Sequence, residues 1–484
     1  MGLHGAGRRA WIGLAVLGLP TILLAVDLSV VFLALPRISV DLHATSTEQL
    51  WITDIYGFVT AGFLITMGTL GDRIGRRKLL LIGAAAFAAV SVVAAYSTSV
   101  AMLIAARALM GLTGATLMPS TLALISNMFT DRRERASAIA IWTSCFMVGA
   151  AGGPVVGGLL LEHFWWGSLF LLSVPVMLLL LVTAPFLLPE YKDPDAARLD
   201  IGSVGLSLAA VLPIVFAVKT LAVDGVTIVS ISAAVIGIVA SIAFLRRERS
   251  LANPLLDLRL FHSRPFSASL LILMLGLAAQ GGIVLLVSQR LQVVDDLSPL
   301  KAGWSLMPAS VAMVVACLVA PFIARRLRPG WVVSAGLTIT AAGFALLTQT
   351  GGTRDVRVIE VAAVLIFFGI GPMAVFSQDL VIGSVPRAQA GSAAALSEAS
   401  GDFGIALGVA VFGSISTAIS IRRMAVPAAI DPLGFDDVAR AHSALTAGLH
   451  AAAIVSALMT VALAVVAATA LSGIPVVGDS PLVE

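Results

Sequence analysis

Two carboxylates stand four residues apart in "SEASGDFGIALG", residues 397–408, inside a stretch otherwise built of Ala, Gly, Val, Leu and Ile. At helical spacing Glu398 and Asp402 share one face, a single turn apart. Asp27 in "VDLSVVFLALP" (26–36), Asp54 in "WITDIY" (51–56) and Arg107 in "LIAARALMGLTGA" (103–115) occupy comparable apolar runs. A charge surrounded by hydrocarbon costs about 3 kcal/mol even on the lenient insertion scale. Such a carboxyl therefore takes up a proton, pairs with a cation or opens onto water, and each option ties its protonation to whatever binds beside it. The chemistry within reach is the uptake and release of protons and cations. Arg107 is a fixed positive charge that needs a carboxylate or a polar cavity; snorkelling to the nearer interface is the alternative.

These groups must be positioned by membrane-spanning helices. The 484 residues are 59% hydrophobic and only 12% charged, which a soluble domain's surface does not tolerate. Apolar runs at about 11–34, 49–69, 79–97, 101–127, 136–158, 166–187, 201–221, 226–245, 266–288, 302–323, 331–349, 358–382, 391–417 and 444–470 each supply the ~20 residues a bilayer needs. About fourteen spans result, and an even number leaves both termini on one side. The N-terminal run follows Arg8 and Arg9 like a signal peptide, but it continues to Leu35 and shows no small-residue cleavage site, so it reads as a first span. Cys145 and Cys317 fall in apolar runs and support neither a disulfide framework nor a metal site.

Charge sets the orientation. Twenty of the 30 Lys and Arg fall in one alternate set of loops and eight, Arg290 among them, in the other; Arg107 and Lys219 lie inside spans. That asymmetry places both termini in the cytoplasm and the chain in the plasma or inner membrane, with the bilayer as its partner. The small basic excess carries no suggestion of nucleic acid. On this topology Asp27 lies about 10–12 Å below the outer end of its span, Asp54 about one turn below the outer interface, and Asp402 near the midplane with Glu398 a turn further in. Asp54 reads either as a site residue or as part of an outer aromatic belt with Trp51 and Tyr56. Asp379 and Glu360 read as boundary charges. Trp142, Phe146, Met147 and Phe376 could wall a site for flat cations, with a core or lipid-facing position as the alternative.

Several strings are more specific. "GTLGDRIGRRK" (68–78) puts Gly68, Asp72, Arg73, Gly75 and Arg76 in the loop after the second span and resembles the G-x-L-x-D-R-x-G-R-R/K signature of the major facilitator superfamily. "VDLSVVFLALP" is similar to the first-span motif of multidrug:proton antiporters, and 103–115 to the family's L-x-x-x-R-x-x-x-G-x-x-G-A element, with Met110 where Gln is usual. "GAAGGPVVGG" (149–158) resembles the antiporter motif of exporters through Gly149, Gly153, Pro154, Gly157 and Gly158. Physically, Gly-x-x-x-Gly spacing admits a close helix neighbour and Pro154 removes a backbone hydrogen bond, which suits both static packing and a rocking interface. Together with about fourteen spans, the chain looks like the fourteen-span drug:proton antiporter family, most like its pumps for quaternary ammonium biocides and cationic dyes.

That resemblance implies an all-α membrane bundle of two six-helix halves, 8–190 and 260–475, with two inserted helices at 200–248 between them. It implies alternating access, export of lipophilic cations in exchange for protons, and Asp27 as the coupling acid tuned by Arg107. Glu398, Asp402 and Asp54 are then expected in cation recognition, Asp402 being divided between cation and proton. A monomer is expected. No Walker loop, nucleophile elbow or metal-ligand spacing occurs, so neither an enzyme nor a cofactor is expected and energy comes from an ion gradient. Two rivals stay open: a same-fold exporter of a lipid or other metabolite, and a non-transporting sensor.

Overall fold

The computed structural model describes residues 7–192, 200–251, 256, 258–351, 355–386, 389–424 and 435–474. Fourteen helices among them are long and apolar enough to cross a membrane, at the places the apolar runs indicate, so the chain is a multi-pass, all-helical membrane protein. The helices are α1 (Arg8–Leu42), α2 (Ser46–Ile74), α3 (Arg76–Ala95), α4 (Val100–Met128), α5 (Arg132–His163), the short α6 (Ser168–Leu171) and α7 (Ser173–Leu187), which together make one span. They continue as α8 (Ile201–Asp224), α9 (Ile228–Ser250), α10 (Arg264–Val293), α11 (Pro299–Ile323), α12 (Pro329–Leu347), α13 (Val356–Gly383), α14 (Ala390–Met424) and α15 (Phe435–Ala470).

The boundaries follow from capping chemistry. Thr45 and Glu48 form a capping box at α2, and the hydrogen bonds from the Thr45 hydroxyl and backbone N–H hold the Glu48 carboxyl below its ordinary range. Ser99, Asp131 and Ser298 accept from backbone N–H groups in the first turns of α4, α5 and α11. Between α2 and α3 the chain reverses at Gly75 with φ 111°, a conformation that an L side chain rarely adopts.

The helices gather into two compact units. One comprises Met1–Ile214, Ile236–Phe266 and Gln378–Ala399; within it α1 packs along α5, α2 and α3 against α4, and α3 against α7. The other comprises Val215–Val235, Ser267–Ser377 and Ser400–Glu484; within it α12 packs along α15, and Gly404 and Gly408 of α14 meet the Met274 and Ala278 carbonyls of α10. Arg198, Arg354 and Arg387, used in the loop charge count, lie outside the described residues, as do the side chains of Pro154 and Lys219.

Arg290 departs from its expected place in an outer loop. It belongs to the last turn of α10 and is 1% exposed, its Nη1 donating to Thr446 Oγ1 of α15 at 2.7 Å and its Nε 3.4 Å from Asp295. The reason is that α10 runs on to Val293, carrying the residue into the packing between helices.

Candidate functional site

The acid of α1 and the cation of α4 find each other. Arg107 Nη1 donates to Asp27 Oδ2 at 2.7 Å, with side chains only 1% and 5% exposed. Arg107 Nε also donates to the Ile52 carbonyl at 3.3 Å, and the guanidinium lies over the Tyr56 ring at 4.7 Å and near Phe170 at 6.0 Å. Two glycines of α4 make room for this. A Cβ at Gly111 would stand 2.5 Å from the Tyr56 carbonyl, and one at Gly114 would stand 2.7 Å from the Tyr56 hydroxyl. Tyr56 is thus a buried platform for Arg107 rather than a partner of Trp51 in an outer belt, and Asp54 is half-buried on α2.

The glycines of 149–158 press on α1 on both sides of Asp27. A Cβ at Gly149 would collide with the Ile22 carbonyl, one at Gly153 with the Ser29 hydroxyl, and one at Gly157 would sit 2.9 Å from Val30. By contrast Gly158 has open space where its Cβ would be. Pro154 lies in the same stretch of α5.

Asp72 ties the motif loop to the start of α14. It accepts from Arg76 Nε at 2.8 Å and Nη2 at 2.6 Å, and from the backbone N–H groups of Gly391 and Ser392, each at 3.0 Å. A carboxylate at a helix N-terminus satisfies orphan donors and complements the dipole. Gly68 permits the approach, since a Cβ there would strike Ala395 and the Gly391 carbonyl. Arg76 is fully buried and also reaches the Ala123 carbonyl and the Tyr191 ring, whereas Arg73 is half-buried in the last turn of α2. Glu190, after α7, accepts from the N–H groups of Arg77 and Lys78 at 3.1 Å and so caps α3.

Around Glu398 the structure builds a polar chain. Gln378 Nε2 of α13 donates to Glu398 Oε1 at 3.2 Å, and Gln378 Oε1 accepts from Thr143 Oγ1 of α5 at 3.2 Å. The next residue, Asp379, is 1% exposed and accepts from Arg135 Nε at 2.8 Å. It is therefore a buried ion-pair partner and not a boundary charge, because α13 extends to Gly383 and carries it against α5. Thr143 stands beside Trp142, which is buried with its indole N–H on Thr121 Oγ1 at 3.2 Å, while Phe146 and Met147 are half-buried one turn along. Phe376 is buried in α13, and Asp402 is exposed on α14.

A family model described as the Major Facilitator Superfamily matches residues 17–409. The chain belongs to that superfamily. Among curated proteins it is 45% identical to the multidrug efflux pump LfrA of Mycolicibacterium smegmatis over 88% of this chain and 84% of that one. It is 31% identical to the methyl viologen resistance protein SmvA of Salmonella typhimurium over 90% and 88%, and 31% identical to the tetracenomycin C resistance and export protein of Streptomyces glaucescens over 85% and 76%. The crystal structure of the human organic anion transporter MFSD10 shares the fold, with a TM-score of 0.66, 16% identity and coverage of 95% of this chain and 99% of that one.

In this facilitator, reading the sequence missed Gln378, Glu190 and the burial of Asp379. Gln378 and Asp379 sit in "FSQDL", a polar triplet inside an apolar run. That interruption is the signal that could have found them. Glu190 offers none, since the helix start that it caps is more than a hundred residues away in the chain.

Proposed function

We propose that this facilitator exports lipophilic cationic drugs, dyes and quaternary ammonium biocides in exchange for protons, by alternating access, as a monomer with both termini in the cytoplasm. The observation that carries the reading is the buried intramembrane pair of Asp27 with the Arg107 guanidinium, with a second intramembrane acid, Glu398, accepting from the Gln378 amide. An acid paired with a fixed cation is suited to carry the coupling proton, its protonation being set by how firmly Arg107 engages it. Recognition of the mobile cation falls to Glu398, whose Oε1 accepts from the Gln378 amide. Relatives named for multidrug efflux and for methyl viologen resistance are consistent with that chemistry.

Uptake of ethidium and methyl viologen into proteoliposomes under an imposed pH gradient tests the exchange. Gradient-driven movement that disappears in Asp27→Asn is expected, and movement indifferent to the gradient refutes proton coupling. The double variant Glu398→Gln/Asp402→Asn separates the substrate classes. Loss of dication transport supports cation recognition on α14, whereas full retention favours an exporter of a lipid or other metabolite in which acids serve coupling alone.

A further inference from the structure

Gln378 stands where it can respond to the state of its neighbour. Its amide bridges Glu398 of α14 and Thr143 of α5, with hydrogen bonds of 3.2 Å on each side, and it is itself buried. An amide carries a donor at one end and an acceptor at the other, and a hydroxyl can do either. With Nε2 toward Glu398, the amide serves an ionised carboxylate and the Thr143 hydroxyl donates to Oε1. Turned by half a rotation about its last torsion, the amide offers Oε1 to a protonated Glu398 and an N–H to the Thr143 oxygen. The Gln378 amide and the Thr143 hydroxyl keep a partner in both states, so Glu398 can change charge without stranding either of these buried groups.

We propose that Gln378 is the positioning residue that lets Glu398 exchange a bound cation for a proton. The proposal rests on the exchange reading above and names the group that makes it reversible at one carboxylate. As the cation leaves, the carboxylate takes up one proton and the amide turns; on deprotonation the amide returns and the negative charge is again available. The neighbouring Asp379–Arg135 ion pair, 2.8 Å long, fixes this part of α13 against α5, so that a side-chain rotation rather than a backbone shift suffices. Other charged groups on elements packed around this part of α14 are Arg132 and Arg135 of α5, Asp379 of α13, Asp72 of α2 with Arg76 of α3, Glu248 of α9, and Asp402 on α14 itself.

The test is the pH dependence of ethidium binding to the purified full-length protein in detergent, read by fluorescence polarisation from roughly pH 5 to 9. Gln378→Met keeps the side-chain length and removes the donor. Losing a hydrogen bond to a charged group is expected to move the midpoint of cation binding about one pH unit upward, a tenfold loss at fixed pH below it, with affinity regained at high pH. Thr143→Val is expected to move it the same way by less and Thr143→Ser to restore it, which covers the case in which Gln378→Met does not fold. A weaker affinity at every pH with an unmoved midpoint would make Gln378 a packing residue and overturn the proposal. Binding by the wild type that does not vary with pH would instead sink the exchange reading, and the proposal with it.

Discussion

Replacing Arg107 by Leu removes the partner of a carboxylate that is 5% exposed and leaves Asp27 in an apolar interior. Asp27 has an escape, because it can take up a proton. At pH 7, protonating a carboxyl with an ordinary value near 3.9 costs about 4 kcal/mol, and at pH 5 about 1.5 kcal/mol. The deficit of Arg107→Leu is therefore expected to shrink by up to about 2.7 kcal/mol between pH 7 and pH 5, since over that interval the folded variant holds one proton more than the unfolded chain and loses stability as pH rises. Asp27→Asn behaves differently. It strands a guanidinium that keeps its proton at any accessible pH, so its deficit, about 3–5 kcal/mol for breaking a buried pair, is expected to stay flat. The assay is thermal and chemical unfolding in detergent across this pH range, with the wild-type profile subtracted. A flat deficit for Arg107→Leu, or a pH-dependent one for Asp27→Asn, would refute the assignment of these two side chains as each other's charge partner.

Other consequences are open to measurement. Gly408→Ala puts a methyl into the Ala278 carbonyl and Gly149→Ala one into that of Ile22, so each should destabilise by about 1–3 kcal/mol, whereas Gly152→Ala, with open space around it, should be neutral in the same melts. Asp295→Leu removes the carboxylate beside the buried Arg290 and should cost more than the joint change Arg290→Leu/Asp295→Leu, a comparison that a double-mutant cycle with both single Leu variants reads directly. Arg247 and the Ser203 hydroxyl and N–H hold the Asp200 carboxyl well below its ordinary range, so their help to the α8–α9 hairpin is present above about pH 4 and fades only as pH falls toward the lowered value. The protection factor of the first turn of α8, exchange corrected for its intrinsic pH dependence, should therefore be unchanged between neutral and mildly acidic pH and should fall only under strong acid.

How much of this was legible beforehand depends on whether a residue's placement carries a cost that its sequence neighbourhood displays. A charge inside an apolar run does, which is why Asp27 and Arg107 announced that each needed a partner, and why the spans themselves could be delimited. The glycines of 149–158 were legible as close-approach positions, but not which helix approaches: Gly149, Gly153 and Gly157 serve α1. Neutral and distant partnerships were silent. An amide such as Gln378 costs little to write into a helix, and the hold of Asp72 on the start of α14 joins residues 319 apart. Arg290 shows a further limit, since proximity to a predicted membrane boundary says where along the bilayer normal a residue lies and nothing about which way its side chain faces.

The Asp27–Arg107 contact also constrains how the chain is made. Its two members are 80 residues apart, so at about 5–20 residues per second the ribosome takes roughly 4–16 s between them. Throughout that interval the first helix must enter the bilayer with an acid and no counter-charge, a burden of about 3 kcal/mol that its many Leu, Val and Ile residues have to outweigh unaided. The fourth helix arrives in the opposite situation, with its cation's partner already in place. Biogenesis is thus asymmetric: early on the protein is a membrane-inserted acid awaiting neutralisation, and a variant with a less apolar first helix would fail at insertion, before any question of transport arises.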